Sequence, residues 1–96
     1  MSRAYRLKAE IHSANPIAVG EALRRLFADG SVRRVGDGFA IEAAMHGESA
    51  KDLNRTLLSA LRKVEKKTTL RAEWTADGVT ERYFDYVLKA TREGES

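Results

Sequence analysis

Apolar and polar residues alternate strictly from Tyr5 to His12. Tyr5, Leu7, Ala9 and Ile11 fall on one side, and Arg6, Lys8, Glu10 and His12 on the other. A period of two marks a half-buried strand, because successive side chains leave a pleated backbone on opposite faces. Ser13-Ala14-Asn15-Pro16 ends that strand and starts a helix. Asn15 offers a side-chain oxygen to the unpaired amides of a first turn, and Pro16 at the first helical position sacrifices no hydrogen bond. The period then lengthens. From Ile17 onward, Val19, Ala22, Leu23, Leu26 and Phe27 share one side of a helical wheel, and Asp29-Gly30 closes the helix.

Val32 to Val35 reads as a short strand, reversed by the turn Gly36-Asp37-Gly38. In the third strand Phe39, Ile41, Ala43 and Met45 alternate with Ala40, Glu42, Ala44 and His46. Ser49-Ala50-Lys51-Asp52 is built like a capping box, with Asp where Glu or Gln is usual. The second helix is expected to run to about Lys66 and to bury Leu53, Leu57, Ala60, Leu61 and Val64. A fourth strand turns Leu70, Ala72 and Trp74 inward and Thr69, Arg71, Glu73 and Thr75 outward. The order is βαββαβ with one apolar face per strand. It predicts a single α+β domain of ferredoxin-like type: an antiparallel sheet with two helices on one face and the other face open.

Val79 to Ala90 admits two readings. As a helix it aligns Val79, Tyr83, Tyr86, Val87 and Ala90 in a stripe. As a strand it completes a hairpin about Asp77-Gly78, a dipeptide suited to a tight type I′ turn between β-prone runs. The strand is preferred, since Tyr-Phe-Asp-Tyr-Val suits a pleated surface and Thr80 is a less specific cap signal. A two-residue loop pairs Thr75 with Thr80, Glu73 with Arg82 and Ala72 with Tyr83. The alternative bulged loop opposes Glu73 to Glu81, two like charges. The first register sends Phe84, Tyr86 and Leu88 to the open face beside Arg71. Residues 91–96 are expected to form a disordered tail.

Composition narrows function without naming it. The 96 residues hold 17 Lys and Arg against 14 Asp and Glu, net +3, with no cysteine and a pI near 9.4. That balance permits nucleic-acid contact without demanding it. The absence of thiols fits a reducing compartment. Met1 to Lys8 alternates charged and apolar residues, which argues against a signal peptide or membrane span and for a cytoplasmic protein.

Chemical motifs are sparse. His12 and His46 close the first and third strands, where pairing could bring them together, but a metal site needs three or four ligands; no metal or cofactor is expected. No Gly-x-Ser-x-Gly elbow or phosphate-cradling glycine loop is present, so no catalytic residue is assigned. On the second helix Lys51, Arg55, Arg62 and Lys66 form a basic stripe able to bind phosphates, with Leu58 beside it pointing away from the core. Arg24, Arg25, Arg33 and Arg34 make a second basic group. The open-face positions of the first and third strands carry no aromatic residue, which argues against base stacking on the central sheet.

The stretch Leu7 to Val64, with its βαββα order and the run ESAKDLNRTLLSALRKVE, resembles the small dimerising subunit of the KEOPS tRNA-modification complex. The likeness covers about sixty residues and contains no diagnostic motif, and the chain continues well past the second helix. It implies a small dimerising adaptor and does not establish membership. Burying an aromatic side chain is worth about 1.5–3 kcal/mol, so aromatic residues on an open face should seek a cover. The leading expectation is a non-catalytic, homodimeric interaction or regulatory domain with an interface at Phe84, Tyr86, Leu88 and Leu58. The alternatives are a nucleic-acid-associated protein using the basic stripe, or a small-molecule or enzymatic pocket on the open face.

Overall fold

The computed structural model describes residues 2–28 and 30–93, with the side chains of Arg92 and Glu93 excepted. Eight elements follow in order: β1 (Arg3–Ser13), α1 (Pro16–Leu26), β2 (Val32–Val35), β3 (Gly38–Gly47), α2 (Ala50–Val64), β4 (Thr68–Ala76), β5 (Val79–Phe84) and β6 (Val87–Glu93). The strands form one antiparallel sheet in the order β2-β3-β1-β4-β5-β6.

Local chemistry sets the element ends. Asn15 Oδ1 accepts the Ala18 amide and Ser49 Oγ accepts the Asp52 amide, which satisfies donors that a first helical turn leaves unpaired. Helix α1 ends at Leu26 with extended Phe27 as its cap, so Asp29, expected to close it, lies outside the described residues. Helix α2 stops at Val64, two residues short of the expected Lys66, which stands in the following loop. The turn at Asp77-Gly78 has both residues at positive φ, 53° and 78°, the backbone that a type I′ hairpin requires.

Both helices cover the same face. Leu7, Ile11 and Ile41 from the sheet meet Val19 and Leu23 of α1 and Leu57 and Leu61 of α2 in one buried cluster, with Trp74 fully enclosed. Their combined removal from water, each side chain contributing about 1.5–3 kcal/mol, is the main force holding the layers together. Leu26, expected on the buried side of α1, and Val64, expected on that of α2, are exposed, as is Ile17 at the start of α1.

The largest departure from the sequence reading is at the C-terminus. Residues 79–90 are two strands, reversed at Asp85-Tyr86, with Phe84 opposite Val87. Asp85 makes the reversal with φ 56°, a left-handed conformation that Asp tolerates better than most residues. Its N–H donates to the Leu70 carbonyl at 2.7 Å, and the Leu70 N–H donates to Asp85 Oδ1 at 2.9 Å. The side chain thus takes over the ladder where the strand turns away. The expected tail is likewise corrected, because Thr91 to Glu93 belong to β6; residues 94–96 are outside the described set.

Candidate functional site

Two surfaces of the sheet hold the residues singled out from sequence: the hairpin end formed by β5 and β6, and the face left open by the helices. The expected register of β4 and β5 is found, with Glu73 opposite Arg82 and Thr75 opposite Thr80. Arg82 and Glu73 form an ion pair at 3.2 Å, and the two threonine hydroxyls lie 2.8 Å apart.

Phe84 does reach the open face. The Arg71 guanidinium lies 5.1 Å from its ring centroid. Tyr86 and Leu88 do not join it, because the reversal at Asp85 changes which way the following residues point. Tyr86 turns towards α2, where its hydroxyl is 3.1 Å from Ser59 Oγ and the Arg62 guanidinium lies 5.3 Å from its ring. Leu88 is paired with Tyr83, which faces the helices. The apolar residues therefore wrap the end of the sheet. Phe84 (36% exposed) and Val87 (56%) lie on one side, Tyr86 (44%) and Leu88 (48%) on the other.

Leu58 also moves. Expected to point outwards, it is fully buried. It sits one helical turn from both Asn54 and Arg62, and those two residues grip the β5–β6 turn: Asn54 Nδ2 donates to the Asp85 carbonyl at 2.6 Å, and Arg62 pairs with Asp85 Oδ2 at 3.3 Å. Leu58 belongs to the buried core cluster, so the helix buries a wider arc than its own pattern suggests.

This arrangement dismantles the basic stripe. Arg62 is committed to Asp85, Tyr86 and the Thr68 carbonyl, to which it donates at 3.0 Å. Arg55 is paired with Asp52 at 3.0 Å. Only Lys51 and Lys66 of the four stay exposed without such a partner, and Lys66 lies beyond the helix. The histidines are not brought together either: His12 opposes Gly38 at one end of the β1–β3 ladder and His46 opposes Ala4 near the other. His12 lies 3.8 Å from Asp37 instead. Among the described residues no cluster of three or more His, Asp or Glu could hold a metal ion, and no helix is long and apolar enough to cross a membrane.

The open face is a shallow concavity of about 470 Å³. Its charges alternate across the strands: Glu42 opposes Lys8, Lys8 opposes Glu73, and Glu73 opposes Arg82. The neighbouring row runs Arg33, Ala40, Glu10, Arg71, Phe84, Val87 from β2 to β6. Lys89 falls at a bulge between the Tyr83–Leu88 and Arg82–Ala90 pairs and also lines the concavity. Strand alternation revealed which residues share this face, but the order of the strands, and so the ladder itself, required the tertiary structure.

One buried polar residue escaped the sequence reading. Asn54 is 1% exposed on the apolar arc of α2, and its Oδ1 accepts the Trp74 indole N–H at 3.1 Å. A polar residue one turn before Leu57 and Leu58 was the available signal. Comparison of the chain with protein-family models, with curated proteins and with solved structures found no match.

Proposed function

We propose that this chain is a non-catalytic association domain: a ferredoxin-like core of β1 to β4 and two helices, extended by the β5–β6 hairpin, that dimerises along the β6 edge. The observation that carries this reading is the gathering of Phe84, Tyr86, Val87 and Leu88, all partly exposed, at one end of the sheet. They project on both sides of it. A partner strand added in the plane of the sheet touches both sides at once, whereas a partner packed on one face would leave half of the patch wet.

The two edges differ. β2 is four residues long and carries Arg33 and Arg34, features that discourage pairing. β6 is seven residues long, and Val87, Leu88, Ala90 and Thr91 are all exposed. Antiparallel pairing about a two-fold axis joins this strand to its own copy and closes the assembly at a dimer. The cysteine-free composition agrees with action in the cytoplasm.

Light scattering tests the reading. The expected mass is about twice the 10.7 kDa of the chain, returning to a monomer in a Val87→Lys, Leu88→Lys double variant with an unchanged circular dichroism spectrum. A wild-type protein that stays monomeric at the highest attainable concentration overturns it.

A further inference from the structure

We propose that the concave open face is a binding site for single-stranded nucleic acid, with phosphates held at its rims and a base stacked on Phe84. Among the described residues, five cations, Lys8, Arg33, Arg71, Arg82 and Lys89, line the concavity against the carboxylates of Glu10, Glu42 and Glu73. Cations therefore exceed carboxylates by two. Part of the basic character read from composition thus lies on one surface, and that surface is concave.

The charges are not spread evenly across it. Each carboxylate stands opposite a cation in the cross-strand ladder, so the floor is close to neutral. Arg33 on β2 faces only Ala40, and Lys89 at the β6 bulge has no cross-strand partner. Neither has a carboxylate opposite it, and these two stand on opposite sides of the concavity. Cations at the rims of a groove follow a phosphate backbone, while a neutral floor does not repel the bases between.

Phe84 distinguishes nucleic acid from a plain polyanion such as an acidic peptide. Its ring and the Arg71 guanidinium already lie in contact at 5.1 Å, and a nucleobase can stack on either an aromatic ring or a guanidinium plane. The aromatic comes from β5, and not from the central strands where the sequence had none to offer. A partner strand paired to β6 meets Val87 at the edge and lies one strand away from Phe84 on β5, so it leaves the open face from β2 to β5 uncovered.

The test is fluorescence anisotropy with labelled oligothymidylate and oligouridylate. Binding is expected at low salt, weakening roughly 5- to 10-fold between about 50 and 200 mM salt for two phosphate contacts. Arg33→Ala and Lys89→Ala should each flatten the log–log salt slope by about 0.7. Phe84→Leu should weaken binding about 5- to 100-fold with little change in slope. Lys51→Ala with Lys66→Ala, on and after α2, should leave binding unaltered. Light scattering on every variant in the same buffer separates loss of binding from loss of association. No binding at low salt overturns the proposal, as does loss through the α2 pair instead of the open face. Equal displacement by polyglutamate together with an unaffected Phe84→Leu variant overturns the assignment to nucleic acid.

Discussion

The indole N–H of Trp74 donates to Asn54 Oδ1 at 3.1 Å inside the apolar core, and the same amide donates onward to the Asp85 carbonyl at 2.6 Å. One side chain on α2 thereby ties β4 to the β5–β6 turn. A buried amide is tolerated because both of its ends are satisfied, and among the described residues no buried side-chain nitrogen or oxygen lacks a partner.

Replacing Asn54 by leucine keeps the heavy-atom branching in a somewhat bulkier side chain and removes both bonds. It leaves an indole N–H and a backbone carbonyl unpaired, at about 1–3 kcal/mol for each group. The variant should lose roughly 2–6 kcal/mol in urea denaturation. A loss well under 1 kcal/mol would mean that water replaces the amide and that the link is not structural.

Leu58 separates the two views of α2. Fully buried beside the hairpin, it should cost about 2–5 kcal/mol when changed to alanine. An outward-facing leucine would cost less than about 0.5 kcal/mol. Chemical denaturation of Leu58→Ala decides between them, with Val64→Ala as an exposed apolar reference on the same helix.

Tyr83 makes stability sensitive to alkaline pH. Burial first, and then the hydrogen bond its hydroxyl donates to Glu81 Oε1 at 2.8 Å, push its ionisation well above the ordinary tyrosine range. The unfolded chain releases this proton near pH 10, while the folded chain still holds it. The contribution is therefore complete below about pH 10 and is lost as pH rises further, because ionisation then favours the unfolded state. Tyr83→Phe lacks that ionisation. It should be less stable than wild type at pH 7 by about 0.5–1.5 kcal/mol, with the gap narrowing above about pH 10. Urea midpoints of both proteins from neutral to alkaline pH check this, and a gap that stays constant throughout would contradict it.

Much of the architecture is legible in the residues themselves. Strict alternation marks β1, β3 and β4, the 3.6-residue period marks α1 and α2, and Asn15 and Ser49 sit at the caps where short-range hydrogen bonding puts them. Even the β4–β5 register could be read, since the Asp77-Gly78 turn and the Glu73–Arg82 attraction are neighbours in sequence and favour one pairing. These features depend on interactions within a few residues of one another.

The site was less legible, for a physical reason. Nothing local in Tyr83-Phe84-Asp85-Tyr86-Val87 forces a reversal, because four of the five residues suit an extended strand. Asp85 turns the chain by bonding to Leu70, fifteen residues earlier, and to Arg62 and Asn54 on a helix. That turn decides that Tyr86 and Leu88 leave the face Phe84 occupies and that Arg62 is not free to meet a ligand. Local periodicity thus determined β1 to β4, both helices and most of their buried sides. Contacts between residues far apart in the chain decided which side chains remain for a partner, because each such contact gains its energy only once the sheet and helices are assembled.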